Sequence, residues 1–214
     1  MARRLALVLL SLLPCVVGAD PTADAAAARR LEAALGSVEG LRAEFRQTVT
    51  DVRGRVTESA DGTVSLARPG RFRWDYRAPE QLIVSDGVTI WFYDIALEQV
   101  TIRPAEQTVT GTPAQLLSGR ADLAAEFEIA DGGEEAGLHW IVLRPRRDGS
   151  DFQELRVALA GDELRRMTLL DRLGQTTRLE FERVERNPPF DRNEFRFTPP
   201  AGVDVIGREA AAPD

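Results

Sequence analysis

The stretch LARPGRFRWDY, residues 66–76, sets a Pro69-Gly70 turn ahead of a run in which Phe72, Trp74 and Tyr76 alternate with Arg71, Arg73 and Asp75. Period-two alternation marks a strand with one apolar and one polar face. Two readings of the aromatic face stay open on this pattern. It is either the wall of an ordinary core or the wall of a cavity that a ligand enters and leaves.

The pattern continues outward in both directions. LRAEFRQTV (41–49) puts Leu41, Ala43, Phe45, Gln47 and Val49 on one face. GTVSLA (62–67), QLIVS (81–85), TIWFYD (89–94) and LEQVTI (97–102) read as neighbouring strands, with an Asp-Gly hairpin turn at 85–88. In TIWFYD, Ile90 and Phe92 oppose Trp91 and Tyr93, and the pattern does not choose which pair faces inward. EFEIAD (126–131), LHWIVLRP (138–145), FQELRVAL (152–159), LRRMTLLD (164–171), TTRLEFERVER (176–186) and FRFTPPAGVDVI (195–206) supply the later strands. Turns are expected at Asp131-Gly132-Gly133, Asp148-Gly149, Gly161-Asp162 and Leu173-Gly174. Two stretches break the β pattern. ADAAAARRLEAALGSV (23–38) is rich in helix formers, with Thr22 or Asp24 as cap. TPAQLLSGRADLAA (112–125) has Pro113 at a first helical position and Leu116, Leu117 and Leu123 at helical spacing. Strands without a helix between each pair predict one large antiparallel sheet, curled and covered on one face by two helical segments.

The ends and the composition narrow the function. Arg3 and Arg4, the apolar run from Leu5 to Val17 and the small residues Val17-Gly18-Ala19 form a secretory signal peptide over residues 1–19. The apolar run is about 13 residues, short of the roughly 20 that span a bilayer. Cys15 follows Pro14 rather than a small residue, so it reads as part of the leader and not as a lipidation site. Residues 20–206 then make one domain, and 207–214 a loose tail. Net charge is −7 and falls to −9 when Arg3 and Arg4 leave with the leader, which excludes nucleic acid as a partner. Enzymatic readings find little support. The single His139 sits in a strand pattern, no His or Cys zinc set can be assembled, and no phosphate-binding glycine loop appears. No metal or cofactor is expected. The apolar supply is the conspicuous feature: Phe45, Phe72, Trp74, Trp91, Tyr93, Leu116 and Leu117 are the candidate lining of a cavity.

FRQTV (45–49), LARPGRFRWDYRAPEQLIVSDG (66–87), TIWFYDIALEQVT (89–101), TPAQLL (112–117) and FTPPAGV (197–203) together resemble the LolA family, the periplasmic carriers of outer-membrane lipoproteins. They run in family order across nearly all of residues 20–206. The resemblance implies an unclosed β-barrel with a helical lid over a hydrophobic cavity that takes the acyl chains of a lipoprotein. It implies a monomer in the periplasm, loaded by the inner-membrane transporter LolCDE and unloaded by the outer-membrane receptor LolB. It also implies that Arg68, in the RPG motif, is the lid latch, and that Phe72 and Trp74 lie on the cavity side. The competing reading is a carrier or sensor of similar fold that serves a different lipid.

Overall fold

The computed structural model describes residues 21–105, 123–147, 150 and 152–207. The expected leader, Leu116 and Leu117 with most of the second helical stretch, and residues 208–214 lie outside the described residues. Twelve strands form one sheet: β1 Gly40–Thr50, β2 Val56–Ala67, β3 Arg71–Arg77, β4 Glu80–Asp86, β5 Thr89–Asp94, β6 Gln99–Pro104, β7 Phe127–Glu135, β8 Leu138–Pro145, β9 Phe152–Ala160, β10 Glu163–Asp171, β11 Thr176–Arg186 and β12 Asp204–Gly207. The order across the sheet is β12-β6-β5-β4-β3-β2-β1-β11-β10-β9-β8-β7. The sheet is therefore unclosed, with β12 and β7 as its margins. It is also curled. Phe127, Phe152 and Leu155 from one end share a single buried cluster with Phe72, Trp74 and Ile90 from the other, which a flat sheet does not permit.

Helix α1 (Pro21–Gly36) lies inside the curl against β7 and β8. Its buried residues Ala27, Leu31, Ala34 and Leu35 fall at helical spacing and form the stripe that packs on the sheet. Both ends of α1 are tied down. Near the start, Asp24 Oδ1 accepts a 2.8 Å hydrogen bond from the Asp131 backbone N–H. Past the end, Asn187 Oδ1 accepts from the backbone N–H groups of Glu39 (2.8 Å) and Gly40 (3.0 Å), and its Nδ2 donates to Ser37 carbonyl (3.1 Å). Helix α2 (Leu123–Glu126) is a single turn that leads into β7. No helix of the described residues is long and apolar enough to cross a membrane.

Three expectations need correction. The stretch 195–206 is not one strand. Only Asp204–Gly207 joins the sheet, and it runs parallel to β6 rather than antiparallel. Pro199 and Pro200 lack the N–H that a ladder needs. Instead, the stretch before β12 lays aromatic side chains on the outside of the sheet. Asp131-Gly132-Gly133 is not a turn either but a bulge within β7, and the reversal falls at Ala136-Gly137. A Cβ on Gly132 would lie 2.9 Å from Trp140 Cβ and 3.0 Å from its carbonyl oxygen, so glycine lets β7 pass the β8 backbone closely. β2 begins at Val56 rather than at Gly62, because Asp51 folds the preceding turn. Its Oδ1 accepts from the N–H groups of Arg53 and Arg55, and the ladder starts at once beyond them.

Candidate functional site

Strand register sorts the side chains into rows on the concave face. Leu41, Leu66, Phe72, Ser85 and Ile90 stand opposite one another across β1 to β5. The next row is Ala43, Val64, Trp74, Ile83 and Phe92, and the third is Phe45, Gly62, Tyr76, Gln81 and Asp94. Successive rows run from mostly apolar to partly polar, so the face has an oily end and a polar end.

The third row is built around a missing side chain. A Cβ on Gly62 would lie 1.9 Å from the Asp75 carbonyl oxygen and 3.0 Å from Phe45 Cε1. Without one, the Phe45 ring leans over β2 and meets Trp74 edge-on at 4.9 Å and Tyr76 at 5.0 Å. Trp74 stacks on Tyr76 at 6.4 Å. Tyr76 O–H donates to Gln47 Oε1 and Gln47 Nε2 donates to Glu58 Oε1, both at 3.3 Å, a polar chain at the margin of the aromatic cluster. Burial, with Glu58 nearby, pushes the Tyr76 phenol up to about 12.

Arg68 stands at the opposite, oily end. Its backbone N–H donates to Glu39 carbonyl at 2.8 Å. Its side chain helps line a small pocket with Ala34, Leu35 and Val38 at the end of α1 and with Leu41, Leu66 and Leu159 of the sheet. The room there is only about 20 Å³, enough for one water and far too little for an acyl chain. Arg68 Nε is buried without a hydrogen-bond partner, and burial lowers the guanidinium pKa. α1 carries no basic residue in its last turn, and two cations stand near its carbonyl end instead: Arg68, and Arg186, whose Nη2 donates to Ser37 Oγ at 2.6 Å.

Of the residues singled out from sequence, Phe45, Phe72 and Trp74 come together in the inner cluster. Trp91 and Tyr93 do not join them. They belong to a second cluster on the convex face with Leu82, Val84, Val100 and Ile102, where Phe197 and Val203 cover them. Ile90 and Phe92 take the inward places. Leu116 and Leu117 lie outside the described residues. Gly62, Gln47 and Leu31 went unnamed as site residues, and in Gly62 the sequence signal is a lone glycine inside a strand pattern. His139 is a strand residue whose Nε2 lies 2.9 Å from Asp131 Oδ1, on the residue whose backbone N–H holds α1.

Residues 36–198 match the family described as outer membrane lipoprotein carrier protein LolA. The chain is 42% identical over 186 residues to an outer-membrane lipoprotein carrier protein of Dechloromonas aromatica, covering 86% of this chain and 89% of that one. It is 44% identical over 178 residues to the protein of the same description in Methylococcus capsulatus, covering 83% and 86%. In fold it is similar to an uncharacterised conserved protein of Thermus thermophilus, with TM-score 0.55 and 17% identity over 86% of this chain and 98% of that one.

Proposed function

Because the chain belongs to the LolA family of outer membrane lipoprotein carriers, we propose that it binds lipoproteins by their acyl chains and carries them across the periplasm. The observation that carries this reading is the continuous apolar inner face centred on Phe45, Phe72 and Trp74 and roofed by α1. An acyl chain of about 16 carbons gains on the order of 12 kcal/mol on leaving water, at roughly 0.8 kcal/mol per methylene. Cargo with two or three such chains needs an enclosed apolar surface to travel through water. The carrier needs to hide that surface when empty, because a large exposed patch invites aggregation.

Between the end of α1 and the sheet, beside Arg68, only about 20 Å³ is free, so on this reading an acyl chain enters there by lifting α1 from β7 and β8. The link Ser37–Gly40, pinned by Asn187, is the hinge, and the bond from Asp131 to Asp24 is a tether that gives way. Arg68 is a weak latch. Its charge is attracted to the carbonyl end of α1 by about 0.3–1 kcal/mol. Its unpartnered Nε opposes closure by a comparable or larger amount. With the two terms offset, Arg68 does not lock α1, and the packing of Ala27, Leu31, Ala34 and Leu35 on the sheet does most of the holding.

Residues 1–19 serve as the cleaved leader and 20–206, with Gly207 completing β12, as the carrier domain. The inner-membrane transporter LolCDE supplies the cargo and the receptor LolB takes it, with binding and release as the whole of the chemistry. The test is reconstituted transfer. The purified chain should draw a triacylated lipoprotein out of LolCDE proteoliposomes into the soluble fraction and pass it to LolB. Lipoprotein that stays with the vesicles at saturating carrier would sink the proposal.

A further inference from the structure

Trp74 is 5% exposed, yet its indole Nε1–H has no hydrogen-bond partner. A buried N–H left unmade costs about 1–3 kcal/mol, and native folds rarely keep one without cause. Among the described residues, nothing around it accepts that N–H. Phe45 meets the indole edge-on, Tyr76 stacks against it, and the cross-strand neighbours in its row are Val64 and Ile83. Two other indoles are also unpartnered, but neither faces this interior. Trp91 lies in the convex cluster, and Trp140 sits under the Arg156 guanidinium at 5.0 Å.

Position on the face says what the donor is for. Trp74 stands between the oily row of Phe72 and the row where Tyr76, Gln47 and Gln81 begin. A bound acyl-glyceryl group has the same polarity sequence, hydrocarbon first and then the carbonyl that joins it to the head. We propose that Trp74 Nε1–H is an ester-reading subsite, donating to the acyl carbonyl of the bound lipid and fixing how far the chains slide into the curl. The inference rests on the carrier reading. It goes beyond it in making depth and chemical class a matter of one donor, where bare hydrocarbon contact would accept any chain. The low polarity that raises Tyr76 would strengthen such a bond.

The probe pair is 1,2-dioctanoylglycerol and its ether analogue 1,2-dioctylglycerol, below their aggregation limits, titrated against the leader-free chain and Trp74→Phe. Wild type should bind the ester about tenfold tighter, as for one net hydrogen bond. Trp74→Phe, keeping an aromatic ring, should bind the two equally. The chain has three tryptophans, so its indole N–H resonances are few, and Trp91→Phe and Trp140→Phe assign the one of interest by elimination. That resonance should shift downfield with the ester and not with the ether, a readout on wild type that stands even if the variant folds poorly. Equal binding of both probes by wild type, or an ester preference that survives in Trp74→Phe, overturns the subsite and leaves the carrier reading intact. Failure of both probes to bind wild type overturns the carrier reading and the subsite together.

Discussion

Replacing Gly62 with alanine places one methyl group where the backbone has no room. The new Cβ would lie 1.9 Å from the Asp75 carbonyl oxygen and 2.9 Å from its carbon. Contact would normally be no closer than about 3.4 Å, so β2 and β3 must part by more than an ångström, and backbone cannot rotate away as a side chain can. Overpacking a core costs about 1–3 kcal/mol. Opening the ladder beside Tyr76 forfeits a further hydrogen bond of about 1 kcal/mol. The total, about 2–4 kcal/mol, is a large part of the 5–15 kcal/mol that typically holds a domain. Phe45, 3.0 Å from the same Cβ, is displaced as well, so binding of an apolar fluorescent probe should fall in the variant that remains folded. Gly36→Ala is the control. It ends α1 with nothing within 4 Å of its Cβ, and should be neutral or slightly stabilising. Urea unfolding followed by tryptophan fluorescence reads both. A Gly62→Ala stability within about 0.5 kcal/mol of wild type, with probe binding unchanged, would refute the close packing of the third row.

The remaining predictions concern the lid and the polar margin. Arg68→Leu should change unfolding free energy by less than about 1 kcal/mol, since it removes both the attraction to α1 and the orphaned Nε. Transfer of cargo to the receptor should slow, because a leucine there welcomes acyl chains where a guanidinium does not; a normal transfer rate counts against the latch. Asn187→Ala, losing three hydrogen bonds at the hinge, should cost about 2–3 kcal/mol and raise hydrogen exchange at Glu39 and Gly40; unchanged exchange there would show that the hinge is held otherwise. Tyr76 titrates near 10 when unfolded and near 12 when folded, so the stability it contributes is complete below pH 10 and is lost as pH rises to about 12. Wild type should therefore lose about 3 kcal/mol more than Tyr76→Phe across that window, and parallel curves would show the phenol to be solvated.

The strands were legible wherever one face is oily and the other polar, and the misreadings come where that contrast fails. TIWFYD is apolar at nearly every position because both of its faces are covered, one by the inner cluster and the other by Phe197 and Val203. Counting would have settled its orientation. With Phe72 inward, the two-residue turn at Ala78-Pro79 sets Phe72 opposite Ser85, and the next hairpin sets Ser85 opposite Ile90. Alternation in FRFTPP imitates a strand, but the aromatics cap the convex face with no ladder beneath them. The Gly132-Gly133 pair resembles a turn because a bulge and a turn ask for the same backbone freedom. As for the site, aromatic supply could be read from composition, whereas the shared inner cluster and the unpartnered indole arise only when distant strands meet.

The parallel pairing of β12 with β6 has a consequence for how the molecule is made. Its partners Asp204 and Gln99 are roughly a hundred residues apart, a slow contact to form. A chain that emerges N-terminus first presents β6 as a bare sheet margin until nearly everything else has been delivered. Such a margin is a template for another chain. β12 is short, and it ends at Gly207, where a Cβ would lie 2.2 Å from Ile102 carbonyl oxygen. It behaves as a clasp, adding little to the interior while closing an edge through which unfinished copies would recruit each other. Removal of residues 204–214 should therefore leave the interior intact and shorten the time the protein survives unaggregated after export.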